Sequence, residues 1–244
     1  MSPSTDANSI NVSRNISPKD AMLAGEARDA YFSVGLGALE LCNRILQGRI
    51  PKRVIDFPSG YGRAMRWFRA DWPSAEIFGV ETDPAALAFV ESEFGAIPVA
   101  ADPSLNMSIP LDADLIFSGS LLTHFDKWQW DLFFALCVNA LAPDGTLIFT
   151  THGRIAALLA KKRDPVYGDL IDTEALYYEY EAAGFAFRPY SSDYPTFGLS
   201  LSTPEWVMGR LQRLPSVKII AFEEGGWGQD VYALRQNPWP MLPT

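Results

Sequence analysis

The chain has 244 residues, of which 48% are hydrophobic and 20% are charged, and its formal net charge at pH 7 is −9. This balance is typical of a globular protein that can bury a sizeable core. The negative charge argues against nucleic acid as a partner, because nucleic-acid binding depends on a basic surface that displaces counterions. The two cysteines, Cys42 and Cys137, lie far from any Cys or His at ligand spacing, so neither a disulfide framework nor a metal site is expected.

The first residues of the chain are polar and show no hydrophobic periodicity, which predicts a disordered tail over residues 1–17. They lack the apolar core of a signal peptide. No apolar run in the sequence is long enough to cross a membrane. We therefore expect a cytoplasmic protein with no membrane span, in which residues 18–244 form a single domain.

Apolar residues at three- and four-residue spacing after Pro18 predict an N-terminal helical segment over residues 18–48. An alternation of short apolar runs and amphipathic segments follows. We predict strands at 53–57, 76–81, 97–101, 114–118 and 146–151, and helices at 61–70, 85–94 and 127–141. In the last of these helices, Trp128 and Leu132 are expected to face the core. Asp126 is expected to cap its first turn, because an aspartate there accepts from free backbone N–H groups.

The pattern becomes less regular beyond residue 152, and we expect a substrate-side elaboration at about residues 160–215. It contains predicted helices at 173–183 and 204–211 and a predicted hairpin of residues 185–190 and 197–202. Two further runs, 217–222 and 230–234, are close enough in sequence to pair as an antiparallel hairpin at a sheet edge. Strands that are apolar on both faces and alternate with helices predict an α/β fold with a parallel sheet covered on both sides.

The turn after the first predicted strand has features of a nucleotide-type site. Gly60 and Gly62 allow the backbone to approach a ligand, and the following helix N-terminus favours an anion. Glu81 ends the next strand and is placed to accept both hydroxyls of a ribose. Met65 stands where a dinucleotide site needs a small residue, and Asp56 suits a ligand that carries an ammonium group. These residues favour S-adenosylmethionine (SAM) over a dinucleotide.

Four segments carry a resemblance to a known family. The chain resembles the class I, Rossmann-like, SAM-dependent methyltransferases at residues 54–63 (VIDFPSGYGR), 78–84 (FGVETDP), 114–124 (DLIFSGSLLTH) and 141–147 (LAPDGTL). The resemblance covers about residues 52–152. It implies a doubly wound, seven-stranded, mostly parallel sheet, with an antiparallel strand between the fifth and sixth as part of an edge hairpin.

The resemblance also implies which residues bind the cofactor. Asp56, Gly60 and Gly62 would surround its methionine moiety, and Glu81 would hold its ribose. Pro58 replaces the usual first glycine, which removes an N–H but leaves a carbonyl that can accept from the cofactor's ammonium. At the other side of the site, Thr82 and Asp102 would border the adenine, and Ser118 would line the pocket at the end of the fourth strand.

The chain has only two histidines, and both follow predicted strands at the edge where ligands bind. His124 and His152 are therefore the candidate catalytic bases for transfer to oxygen or nitrogen, although each could instead cap a turn or pack in a loop. Residues 194–202 are the best candidate for a substrate-side flap, and Trp227 could close the site from the opposite side. The resemblance also implies that the helical segment 18–48 is a lid over the cofactor, in which Tyr31 either covers the cofactor or simply packs in the core.

The leading functional hypothesis is a methyltransferase that acts on a small-molecule or sugar-containing (glycan) acceptor by O- or N-methylation. The aromatic residues of the C-terminal third are the only residues that suggest a sugar. One alternative is a binding module that keeps the cofactor pocket without transfer activity, for which Pro58 is the only support. The other is an NAD(P)-dependent oxidoreductase, which Asp56 and Met65 disfavour.

Overall fold

The computed structural model describes residues 10–23, 28–162 and 171–237, and its centre is a seven-stranded sheet of order β3-β2-β1-β4-β5-β9-β8. Strands β1 to β5 run parallel, whereas β9 pairs antiparallel with both β5 and β8. The predicted α/β class and the antiparallel strand between the fifth and sixth are confirmed. The strands are Arg53–Asp56 (β1), Glu76–Glu81 (β2), Ile97–Ala100 (β3), Ala113–Ser118 (β4), Leu141–Thr151 (β5), Phe185–Pro189 (β6), Gly198–Ser202 (β7), Val217–Glu223 (β8) and Asp230–Gln236 (β9).

The described part of the chain contains seven α-helices, and the order of strands in the sheet reverses between β1 and β4. That reversal opens a crevice beyond the carboxyl ends of the two strands, the usual ligand site in such sheets. Two short 3₁₀ turns, Ala21–Leu23 and Leu122–His124, border this crevice. The helices are Arg28–Leu46 (α1), Met65–Asp71 (α2), Pro84–Phe94 (α3), Lys127–Ala140 (α4), Arg154–Lys161 (α5), Thr173–Ala183 (α6) and Pro204–Leu211 (α7).

The helices bury two separate cores against the two faces of the sheet. Helices α1, α2 and α3 pack on one face, where Phe68 and Phe117 are buried. Helices α4 and α7 pack on the other face around the fully buried Trp130. No helix among the described residues is both long and apolar enough to span a membrane.

Helix α4 begins as predicted but turns a different face to the core. The Asp126 side chain accepts from the Lys127 N–H at 2.7 Å as part of a capping box, so its predicted role as a cap is confirmed. Trp128 and Leu132 are 41% and 44% exposed, so their predicted burial is wrong. Trp130, Phe133, Phe134 and Cys137 form a larger apolar stripe at helical spacing, and this stripe occupies the core instead.

The hairpin predicted from residues 185–190 and 197–202 is present as a separate two-stranded sheet of β6 and β7. Together with α5 and α6 it encloses a small third core that includes Leu176, Leu199 and Leu201. This layer lies beyond the carboxyl end of β5, because the Ser202 N–H donates to the His152 carbonyl at 2.9 Å. Residues 163–170 of the predicted substrate-side elaboration lie outside the described residues.

The N-terminal segment packs onto the glycine-containing turn after β1. Of the predicted tail, residues 1–9 lie outside the described residues, but Val12 is buried. Arg66 is also buried and donates to the carbonyls of Ser13 and Asn15 at 2.8 and 3.0 Å. In α1, a Cβ on Gly35 would collide with the Arg63 carbonyl, so this glycine allows α1 to lie directly against the turn.

Candidate active site

A cavity of about 570 Å³ lies beyond the carboxyl ends of β1, β2 and β4, in the crevice where the strand order reverses. Its wall is formed by four groups of residues, one of which is the N-terminal segment with Asp20, Met22 and Gly35. The turns after the first three strands supply Asp56, Pro58, Gly60, Glu81, Thr82 and Asp102. The segment after β4 supplies Gly119, Ser120 and His124, and the distant loops supply Tyr194, Thr196, Phe197 and Trp227.

The two glycines of the first turn have different roles. Gly60 lines the cavity with φ +48, and a Cβ built on it would have no atom within 4 Å. The main chain is therefore open to a ligand at this point. Gly62 has φ +78 but does not line the cavity, and a Cβ there would collide with the ring of Phe94 in α3. Gly62 allows the turn to pack against α3, whereas Gly60 leaves open space at the cavity wall.

Glu81 joins the turns after β1 and β2. One carboxylate oxygen accepts from the Gly60 N–H at 3.0 Å. The other accepts from the Thr82 N–H at 2.6 Å and from the Asp83 N–H at 3.2 Å. Such charge-assisted bonds hold an ionised carboxylate in a fixed direction. Glu81 is therefore oriented at the cavity wall, where it was predicted.

Thr82 and Asp102, predicted to border an adenine, both line the cavity. The Asp102 carboxylate accepts from the backbone N–H and the hydroxyl of Ser104, each at 2.7 Å. These bonds lower the pKa of Asp102 and fix the turn after β3. Asp102 thus shapes this end of the wall as a charged group.

The end of β4 is arranged differently from the prediction. Ser118 is fully buried and is not part of the cavity wall, and its hydroxyl has no hydrogen-bond partner in the described structure. Gly119 and Ser120 line the cavity instead. A Cβ on Gly119 would lie 3.0 Å from the indole of Trp227, so the glycine makes room for this ring. The Trp227 Nε1–H donates to the Val34 carbonyl at 3.0 Å and holds the indole against α1.

The cavity wall carries more negative than positive charge. Asp56 is 2% exposed, and burial together with the nearby Glu81 carboxylate raises its pKa well above the usual range. Asp20, Glu81 and Asp102 add further carboxylates, whereas Arg63 is the only Lys or Arg among the lining residues that the structure describes. A ligand that carries positive charge near Asp56 would relieve this repulsion.

His124 lies in the 3₁₀ turn after β4, and its ring lines the cavity. Its Nδ1 lies 2.9 Å from the Gly198 carbonyl and 3.0 Å from the Tyr190 hydroxyl. The ring of Phe197 packs on the imidazole with centroids 4.8 Å apart. Burial lowers the pKa of His124, so the imidazole is neutral at neutral pH and can accept a proton.

His152, the second candidate base, does not line the cavity. Burial and the neighbouring His124 lower its pKa to about 3, so this ring stays neutral over the physiological range. The two histidines are close enough to interact, but only His124 reaches the cavity. Tyr31 is also removed from the cavity wall, because it is fully buried and its hydroxyl donates to Asp20 at 2.7 Å.

Two residues that the sequence left without a role, Asp20 and Ser120, line the cavity. Tyr190, which the sequence offered only as one of several aromatic candidates for an acceptor pocket, contacts the histidine that lines it. Tyr190 and His124 are 66 positions apart in the sequence, so no local motif could have connected them. Among the described residues, no group of three or more His, Cys, Asp or Glu side chains could hold a metal ion.

The sheet order and a cavity at the reversal of strand order define a class I, Rossmann-like methyltransferase fold. Residues 55–149 match the family model described as a methyltransferase domain. Residues 55–149 are thus similar to a methyltransferase domain, and the described sheet has the strand order of that fold. No curated protein sequence matches the chain.

Solved structures of low sequence identity share the fold over most of their length. The complex of DhpI with S-adenosylhomocysteine (SAH) has 16% sequence identity to this chain and a TM-score of 0.57. The match covers 90% of this chain and 92% of the DhpI chain. The 1,6-didemethyltoxoflavin-N1-methyltransferase of Burkholderia thailandensis has 15% identity and a TM-score of 0.58, with 86% and 82% covered. The plantazolicin methyltransferase BpumL has 12% identity and a TM-score of 0.56, with 89% and 94% covered.

Proposed function

We propose that this protein transfers a methyl group from SAM to a hydroxyl oxygen or a nitrogen of a small-molecule acceptor, with His124 as the general base. The observation that carries the proposal is a single cavity whose wall contains both the turn held by Glu81 and the ring of His124. A cofactor in the turn and an acceptor at the histidine would therefore share one enclosed space. Such enclosure brings the reacting atoms together, which supplies much of the catalysis of a displacement reaction.

The residues of the first turns fit the cofactor. Gly60 leaves open space for the methionine moiety, and the buried Asp56 with the Pro58 carbonyl would accept from its ammonium. Glu81 would accept from the ribose hydroxyls, and Thr82 and Asp102 would border the adenine. We leave Gly62 and Ser118 out of this set because neither lines the cavity. When bound, SAM supplies a methyl group already activated by its sulfonium.

His124 would act on the acceptor side of the same cavity. The Nδ1 atom faces the Gly198 carbonyl, which can only accept, so the proton of the neutral ring lies on Nδ1. The lone pair is then on Nε2, and this nitrogen would remove the proton from the acceptor as its oxygen or nitrogen bonds to the methyl group. Because the pKa of His124 is lowered by burial, the ring is in the basic form at neutral pH.

The proposed division of the chain follows the cavity. Residues 18–48 would act as a lid over the cofactor, since Asp20, Met22 and Gly35 line the cavity. Residues from about 160 to 215 would form the acceptor side, since Tyr194 and Phe197 line it from that region. The Burkholderia neighbour was solved with 1,6-didemethyltoxoflavin bound, which supports a small molecule as acceptor. A glycan acceptor, the exclusion of nucleic acid and a cytoplasmic location stay predictions of the sequence.

Calorimetric titration with SAM, S-adenosylhomocysteine and NAD tests the cofactor part of the proposal. We expect both adenosyl ligands to bind and NAD to bind far more weakly, because a pyrophosphate would meet the carboxylates of Asp56 and Glu81. Binding of NAD without either adenosyl ligand would refute the proposal.

Release of S-adenosylhomocysteine in the presence of hydroxylated aromatic compounds, aromatic amines and sugars tests the transfer part. We expect turnover with at least one class and a strong dependence on His124. Cofactor binding without turnover on any of these classes would favour the alternative of a binding module.

A further inference from the structure

The hairpin of β6 and β7 surrounds the His124 ring on the side of Nδ1. Gly198, the first residue of β7, places its carbonyl oxygen 2.9 Å from this nitrogen. Tyr190, directly after β6, places its hydroxyl 3.0 Å from the same nitrogen. Phe197 packs against the imidazole with ring centroids 4.8 Å apart and meets the Tyr190 ring edge-on at 5.5 Å. One structural unit therefore supplies every one of these contacts to the ring.

The hydrogen-bond roles at Nδ1 follow from the chemistry of the partners. A backbone carbonyl has no proton to give, so the short contact to Gly198 requires an N–H on Nδ1. The Tyr190 oxygen then acts as a second acceptor of this N–H, because a nitrogen that carries a proton has no lone pair left for the hydroxyl. The Gly198 carbonyl sets this tautomer, and both contacts become stronger when the ring gains its second proton.

We propose that Tyr190 is a positioning residue that, with the Gly198 carbonyl, fixes the Nδ1–H tautomer of His124 and stabilises its protonated form. This inference rests on the proposed function, because it assigns a purpose to the orientation of the base. It also assigns a purpose to the tip of the hairpin, from which Tyr194, Thr196 and Phe197 line the cavity. The segment that contacts the acceptor would then also hold the base that acts on it.

Besides Tyr190, the titratable groups to consider are His152, which interacts with the ring, and Asp126, which is close in the sequence. His152, directly after β5, interacts with His124, but its pKa of about 3 keeps it neutral over the physiological range. Asp126, two positions along the chain, is engaged as the cap of α4. Burial raises the pKa of Tyr190 to about 12, so its hydroxyl stays protonated and neutral. The Tyr190 contact is therefore the one that a substitution can remove without changing a charge.

Nuclear magnetic resonance of the full chain labelled with ¹⁵N-histidine tests the inference without any acceptor. The sequence has two histidines, so the ring signals are assigned by comparison with His152→Gln. We expect the Nδ1–H tautomer for His124 at neutral pH. An Nε2–H tautomer would overturn the proposal, because Nδ1 could not then donate to the Gly198 carbonyl.

Tyr190→Phe keeps the ring and removes only the hydroxyl. We expect the pKa of His124 to fall by about one pH unit, because a hydrogen bond to a charged group is lost, and the Nε2–H tautomer to gain population. Tyr178→Phe is the matched control, since Tyr178 is 59% exposed on α6. An unchanged His124 pKa and tautomer in Tyr190→Phe would overturn the role of Tyr190.

Turnover separates this inference from the proposed function. With an active acceptor, we expect Tyr190→Phe to lower kcat about three- to tenfold, to shift the acidic limb of the pH profile downward and to leave SAM affinity unchanged. A changed His124 tautomer in Tyr190→Phe, together with an unchanged kcat in both Tyr190→Phe and His124→Gln, would refute His124 as the base. A loss of kcat in His124→Gln alone would support the base and refute the role of Tyr190.

Discussion

The cofactor side and the acceptor side of the cavity are built in different ways. On the cofactor side, main-chain turns follow parallel strands directly, and Glu81 joins two of them through bonds to backbone N–H groups. On the acceptor side, the wall consists of side chains from loops that are far apart in sequence. Tyr194 is 70% exposed and Phe197 is 47% exposed in this structure.

The difference matches the task of each side. A cofactor common to many enzymes can be bound by groups that the fold itself supplies, such as strand ends and helix N-termini. An acceptor that differs between enzymes is better recognised by loops on a rigid scaffold, since loops change without loss of the core. We therefore expect substitutions on the cofactor side to change affinity for SAM, and substitutions on the acceptor side to change turnover.

The largest expected effect is on turnover, from His124→Gln. Glutamine keeps a polar side chain but cannot accept the proton, so kcat should fall by about 100-fold or more, the usual contribution of a general base. The affinity for SAM, measured by calorimetry, should stay within about twofold, because the ring lies on the acceptor side.

His152→Gln is the matched comparison, since His152 is close to His124 but does not line the cavity. It should lower kcat by less than about tenfold. Equal losses of kcat in the two variants would mean that His124 has no role that His152 lacks. That result would contradict the assignment of His124 alone as the base.

Glu81→Ala should have the next largest effect, on affinity for SAM. It removes the acceptor for the ribose and also releases the Gly60 and Thr82 N–H groups. Two charge-assisted bonds contribute about 3 kcal/mol or more, so the Kd should rise by about 100-fold. Glu76→Ala is the control, because Glu76 begins the same strand and pairs with Arg53 at the opposite edge of the sheet. A Kd that responds equally to both changes would exclude a specific role for Glu81.

The sequence placed Asp56 and Glu81 at the cavity wall for a physical reason. Asp56 and Glu81 end strands whose apolar runs are easily recognised, and the turns after them have little freedom. The assignments of Gly62 and Ser118 were less accurate because they depend on direction within a turn or strand. Neighbouring side chains of a strand point to opposite faces, so Ser118 is buried while the chain turns to the cavity at Gly119.

The acceptor side was predicted only in part. The flap residues Tyr194 and Phe197 line the cavity as proposed from their composition, and His124 does so from its place after β4. The contacts of Tyr190 and Gly198 with His124 cross 66 and 74 positions of sequence. Such pairs depend on how the hairpin docks on the sheet, and no local pattern encodes that arrangement.

The two glycines of the first turn give a sharper test within the cofactor side. Gly62→Ala places a methyl group against the Phe94 ring at positive φ, so the free energy of unfolding should fall by about 2 to 4 kcal/mol. Gly60→Ala meets no atom within 4 Å and should cost only about 1 kcal/mol from its positive φ. Chemical denaturation measures both values.

The effects of the two substitutions on the affinity for SAM, measured by calorimetry, should have the reverse order. Gly60→Ala should weaken binding, because its methyl group enters the space left open for the methionine moiety. Folded Gly62→Ala should bind nearly as well as the wild type. If Gly62→Ala lost affinity without losing stability, Gly62 would belong to the cofactor site after all.

The smallest expected effect, from Asp56→Asn, is the most informative about charge. The loss of one charge-assisted bond to the ammonium should raise the Kd for SAM by about tenfold. In the free protein, burial holds the pKa of Asp56 above its ordinary value of 3.8. Below that value the carboxyl is protonated in both the folded and the unfolded chain. As the pH rises above it, the unfolded chain ionises first, so the wild type loses stability.

Asp56→Asn removes this loss, so its free energy of unfolding should improve relative to the wild type as the pH rises from about 4 toward neutrality. Urea denaturation across this range measures the difference. Saturating SAM should reduce the pH dependence, because a bound cation stabilises the ionised carboxylate. A difference that does not vary with pH would mean that Asp56 is ionised without cost in the free protein. The buried carboxylate of Asp56 would then not explain why the cofactor side prefers a ligand with a positive charge.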